Sequence, residues 1–199
     1  MQTLSKPIPG ARVALPPSPK KVWTERELMA LPKDDGKYEL VNGELTLMSP
    51  AGYEHGDVSA EIVCRLRPFV KKHKLGRVLD GQTGFWMKSG NVLSPDVSFV
   101  SNEREGKLEC LPTGFFNGAP DLAVEVLSPS ERMKDVDAKI ADYFASGTQL
   151  VWVVKPKTQS ARAYRGPGSY VLLGIADSLD GENVVPGFRL PLRELFEND

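Results

Sequence analysis

Glu125 stands inside an apolar run, "LAVEVL" (122–127), that reads as a buried strand. An unpaired buried carboxylate is expensive, or it surrenders its charge. Upstream, "SPDVSFV" puts Asp96 at the head of another strand. Strands adjacent in sequence often pair in a sheet, so Asp96 and Glu125 are expected to meet at one sheet end. Two carboxylates that close repel unless a cation lies between them. Hard oxygen ligands suit Mg2+ or Mn2+, which keep several waters and bind through one or two carboxylates plus substrate phosphate.

A third carboxylate, Glu39, is expected on the polar face of a hairpin, and a cation, Lys139, on the helix after strand 122–127. Asp135, Lys139 and Tyr143 follow at i, i+4 and i+8 and share a helix stripe. A metal held by two carboxylates beside a lysine lowers the pKa of a bound water and offsets phosphate charge. That is the chemistry of metal-assisted phosphodiester hydrolysis. Each residue also has a structural reading. Glu39 can be a solvated hairpin residue, Asp96 a turn residue, and Glu125 with Lys139 a structural ion pair. His55 reads as a capping or surface residue. Lys71, Lys72 and Lys74 in "KKHK" read as a solvated helix end, with DNA backbone contact as the alternative. Ser128 and Ser130 lack a glycine elbow and a nearby histidine, so capping the next helix explains them better.

These residues must be positioned by a recognisable series of elements. "WTERELMALP" carries a capping box, Thr24 with Glu27, and Pro32 to stop the helix. In "KYELVNGELTLMSP", Asn42-Gly43 is a hairpin signal that puts Leu40 opposite Leu45 and Tyr38 opposite Leu47, with Glu39, Val41, Glu44 and Thr46 on the other face. Residues 53–73 form a long helix whose inward face holds Val58, Ile62, Leu66, Phe69 and Val70; Pro68 predicts a kink or an early end. Residues 85–100 read as strand, turn and strand. Glu103 to Gly118 reads as a polar loop. After strand 122–127 come a helix from about 131 to 146 capped by Gly147, an all-apolar strand at 150–154, a last hairpin, and a short helix in "PLRELF". The pattern is α/β: a mixed central sheet flanked by helices, plus hairpins.

The chain has 199 residues, with 25 basic and 26 acidic side chains. That length suits one domain over residues 23–199 behind a proline-rich arm at 1–22. The balanced charge means that any nucleic-acid partner must meet a local patch. Cys64 and Cys110 have neither metal-ligand spacing nor a disulfide framework, and Cys64 reads as a small core residue. No apolar run approaches the roughly 20 residues of a membrane span, and a cytoplasmic setting is expected.

Together, "YELVNGEL", "SPDVSFV", "VEVLSPS" and "DVDAKIADYFASGTQLVWVV" resemble the Uma-two family of restriction-endonuclease-like proteins, over roughly residues 23–196. The resemblance implies the PD-(D/E)xK nuclease fold. It implies Asp96 and Glu125 as metal carboxylates for Mg2+ or Mn2+, with Glu39 as the further acidic residue. The superfamily pattern places lysine two residues after the glutamate, where this chain has Leu127. In this family the lysine is displaced to the following helix, which fits Lys139. The function so implied is DNA hydrolysis, and nucleases of this fold often act as homodimers. Two rival readings are a nuclease-fold protein that binds nucleic acid or regulates a partner without cleaving, and a hydrolase of smaller phosphate esters.

Overall fold

The structure, a computed structural model, describes residues 12–14, 22–32, 36–106, 110, 112–129 and 131–197. In chain order its elements are β1 (Arg12–Ala14), α1 (Glu25–Met29), β2 (Lys37–Val41), β3 (Glu44–Met48), α2 (Tyr53–His73), β4 (Gly76–Asp80), β5 (Phe85–Trp86), β6 (Val92–Leu93), β7 (Val97–Ser101), α3 (Asn102–Glu105), β8 (Phe116–Asn117), β9 (Leu122–Val126), α4 (Met133–Ser146), β10 (Leu150–Lys155), β11 (Ser160–Gly166), β12 (Ser169–Leu173), β13 (Ser178–Asp180), β14 (Arg189–Pro191) and α5 (Leu192–Phe196).

The main sheet has the order β12-β11-β10-β9-β7-β4. It is mixed: β9 and β10 run parallel, with α4 as their crossover, and the other pairs are antiparallel. Strands β9 and β10 are buried along their length apart from Lys155, which explains their unbroken apolar character. Side chains alternate across the sheet. Leu122, Val124 and Val126 of β9 pack with Val58, Ile62, Leu66 and Val70 of α2. Ala123 points the other way, toward Val136, Ile140 and Tyr143 of α4. Glu125 follows Ala123 by two and shares that face.

A second sheet, β1-β3-β2-β6-β5-β8, adjoins the α4 side, where Phe85, Leu93 and Phe116 join the same core as α4. Its β2–β3 hairpin has the expected register, Leu40 with Leu45 and Tyr38 with Leu47. Asn42 and Gly43 supply the positive φ angles, 54° and 82°, that its two-residue turn requires. The capping box of α1 is present, with both the Thr24 and Glu27 bonds formed.

Several expectations are corrected. Pro68 does not end α2, which continues to His73. Pro68 is exposed, so the carbonyl it leaves without an N–H partner faces water. Cys64 is exposed, not a core residue; it lies two residues past Ile62, off the buried stripe. The stretch 103–118 holds α3 and β8, not only loop. Strand β4, with Val78 alone fully buried, gave no alternating signal. The α4 helix starts at Met133 with Arg132 as its N-cap, so Ser128 does not cap it. Residues 1–11 and 15–21 of the expected arm, and Ser130, lie outside the described residues; Arg12–Ala14 pairs with β3.

Candidate active site

Four elements converge at one end of the main sheet. Strands β7 and β9 run antiparallel with Val97 opposite Val124, and this register sets Asp96 against Glu125. From above β9, α4 lowers Lys139 and Tyr143, both buried although the first is charged. The hairpin contributes Glu39 from β2. It lies on the face expected to be polar, yet it is only 1% exposed, because α4 and the strand β6 region close over it. The first turn of α2 contributes His55.

Lys139 is the hub. Its Nζ donates to Glu39 Oε1 at 2.9 Å and lies 3.5 Å from Glu125 Oε2. Glu39 Oε1 also accepts the Ser94 N–H at 3.1 Å, while Glu39 Oε2 is buried without a hydrogen-bond partner among the described residues. Tyr143 Oη donates to Glu125 Oε1 at 2.6 Å. Asp96 Oδ2 accepts the Val126 N–H at 2.8 Å and meets His55 Nε2 at 3.1 Å. Lys37 Nζ stands 3.9 Å from Asp96 Oδ1 and donates to the carbonyls of Ser94 and Gly81.

The three carboxyls do not share one electrostatic fate. Burial pushes Glu125 up, and with Asp96 and Glu39 beside it the attraction of Lys139 does not compensate; its pKa rises to about 7. Burial also opposes charge on Glu39, but Lys139, Lys37 and the Ser94 N–H outweigh it and hold this carboxyl below its ordinary value. Asp96 is likewise held low: His55, Lys37 and the Val126 N–H overcome its burial. His55 is raised, the bond to Asp96 prevailing over desolvation. This is the pattern of an interacting acid cluster, in which the most crowded member keeps a proton.

Asp96, Glu125 and Lys139 line a cleft of about 540 Å³, with Lys37, His55 and Glu131 around them and Met48, Pro50, Ala60 and Val63 forming an apolar wall. Glu39 lies beneath Lys139. Lys71, Lys72 and Lys74 are not gathered here. They are exposed at the far end of α2, roughly 24 Å from His55 at 1.5 Å per helical residue. Among the described residues, no group of three or more His, Cys, Asp or Glu side chains is arranged to hold a metal ion. Asp96 and Glu125 offer the two hard-oxygen carboxylates that Mg2+ commonly takes from a protein. Two carboxylates brought together at one cleft repel unless a cation lies between them, so the donor set fits a divalent ion.

Sequence reasoning missed three of these contacts. The sequence reads His55 as a capping or surface residue; its partner Asp96 is 41 positions away. Tyr143 was placed on the correct helix stripe but without a partner. Lys37 carried no signal.

A family model described as "Putative restriction endonuclease" matches residues 25–193. The chain belongs to this family, Uma2 (Uma-two). Among solved structures, a 1.96 Å crystal structure of "a putative nuclease belonging to DUF820" from Anabaena variabilis ATCC 29413 is similar, with a TM-score of 0.77 at 22% identity, over 87% of this chain and 97% of that one. At that identity the likeness establishes the fold. No curated protein matches the chain. The Uma2 match takes in every site residue named above, from Lys37 to Tyr143. No helix among the described residues is long and apolar enough to cross a membrane.

Proposed function

We propose that this chain is a metal-dependent endonuclease that hydrolyses DNA phosphodiester bonds in the cytoplasm, with residues 23–199 acting as one domain. Asp96 and Glu125 would hold Mg2+ or Mn2+. Bound there, the ion supplies a water of lowered pKa and countercharge for the phosphate. Lys139 offsets charge developing on the phosphate oxygens at the cleft floor. Glu39 fixes the Lys139 ammonium beside Glu125, and Tyr143 fixes the other Glu125 oxygen. The observation that carries the reading is the convergence of Asp96, Glu125 and Lys139 from three separate elements beneath one cleft. The nuclease description of the family supports it.

A second reading, a nuclease fold that binds nucleic acid or a partner without cleavage, is favoured by Leu127, an apolar residue packed against the core where the superfamily pattern has lysine. Supercoiled plasmid separates the two. With Mn2+, the wild type is expected to nick or linearise it, and Glu125→Gln to leave it intact. Binding without any nicking in either Mg2+ or Mn2+ supports the second reading and defeats the first.

A further inference from the structure

We propose that His55 is a positioning residue that fixes which oxygen of Asp96 faces the ion; this rests on the metal-dependent reading above. Two donors converge on a single oxygen. Val126 N–H reaches Asp96 Oδ2 at 2.8 Å and His55 Nε2 reaches the same atom at 3.1 Å. An ionised carboxylate only accepts, so the imidazole proton sits on Nε2. The other oxygen, Oδ1, has Lys37 Nζ at 3.9 Å, outside hydrogen-bond range. Lys37 is occupied by the carbonyls of Ser94 and Gly81. The lone pairs of Oδ1 therefore remain for a ligand in the cleft that Asp96 lines.

The other His55 nitrogen makes the case from the opposite side. Nδ1 is buried and has no hydrogen-bond partner among the described residues. Burying a ring nitrogen without a partner is unfavourable, so this imidazole is not placed for the sake of the fold around it. Among the described residues, the side chain of His55 bonds Asp96 alone. A carboxylate turns easily about its terminal torsion. Without His55, the Val126 N–H alone would hold Oδ2, and Asp96 would be free to turn toward Lys37 and close an ion pair with the oxygen meant for the ion.

Two variants of similar volume test this. His55→Phe keeps the ring and removes the donor; His55→Gln keeps an N–H donor at about the reach of Nε2. Thermal midpoints without metal establish that each folds, and titration calorimetry with Mn2+ alone reads the affinity. Loss of a partner that orients a ligating carboxylate typically weakens metal binding 10–100-fold. His55→Phe is expected to show a loss of about that size, and His55→Gln to stay within about threefold of wild type, the donor being retained. Wild-type affinity in His55→Phe, or equal losses in both variants, overturns the assignment. If wild type binds Mn2+, Glu125→Gln does not and His55→Phe binds normally, only the His55 role fails. If wild type binds no Mn2+, the metal-dependent reading fails with it.

Discussion

Glu125 decides how the site behaves in the absence of metal. Its pKa rises from the ordinary 4.5 to about 7, chiefly through burial. The folded protein thus holds a proton that the unfolded chain has released between those values. The stabilising contribution is full below pH 4.5 and is lost as pH rises through 7, a change on the order of 3 kcal/mol. Glu39 and Asp96, both held low, have the opposite sign and lose their contribution as pH falls below 4.5 and 3.8 respectively. Glu125→Gln removes only the first effect. Urea denaturation at pH 5 and pH 7.5 is therefore expected to show the variant gaining on wild type at the higher pH; a gap that does not change with pH contradicts the assignment. Neutralising Glu125 does not strand Lys139, which keeps Glu39 at 2.9 Å. Lys139→Met is the contrary case. It leaves Glu39 and Glu125 buried without their shared cation and is expected to cost about 3–5 kcal/mol, less at pH 5, where Glu125 takes up a proton. Equal urea midpoints for wild type and Lys139→Met at pH 7.5 contradict this.

The elements were legible to the degree that their signals are local. Thr24 with Glu27, and Asn42 with Gly43, specify their bonds within a few residues, and both devices are present. The period of α2 and the apolar run of β10 marked the two faces of the main sheet. What covers a face is not a local property. Alternation put Glu39 and Val41 together on one side of the hairpin, but only the approach of α4 buries that side. The pairing of Asp96 with Glu125 was legible from two strands expected to be consecutive, and it holds although α3 and β8 lie between them in the chain. The His55 contact was not, because it spans an intervening hairpin of strands and a long helix. Pro68 shows the limit of a local rule: a proline predicted to break α2 is tolerated because its face is in water. It still lacks the N–H that would bond Cys64. Since proline costs about 3 kcal/mol relative to alanine within a helix, Pro68→Ala is expected to raise the urea midpoint by about 1–3 kcal/mol worth of stability, with the slope unchanged. A lower midpoint shows that Pro68 does more than interrupt a ladder.

At the scale of the whole molecule, charge and chemistry are separated. The net charge is −1, and the acid cluster lies at one end of α2 while Lys71, Lys72 and Lys74 stand exposed at the other. A duplex lying along the helix would span that distance in about seven base pairs at 3.4 Å each. The three lysines can then contribute affinity without touching the reacting phosphate. Replacing all three with alanine is expected to flatten the slope of log affinity against log salt by up to about 2.7, at roughly 0.9 per phosphate contact, and to leave the cleavage rate at saturating DNA unchanged. Fluorescence anisotropy across salt concentrations checks the slope; an unaltered slope moves the DNA track off this end of α2.

The proposal that Asp96 and Glu125 form a metal site, and not half of a structural ion pair, has a direct test. Crystals soaked in Mn2+, with anomalous diffraction recorded above the manganese edge, address it directly. An anomalous peak is expected between the Asp96 and Glu125 carboxylates, absent from Glu125→Gln crystals treated alike. No peak in the wild type, with Lys139 still bridging Glu39 and Glu125, would contradict it.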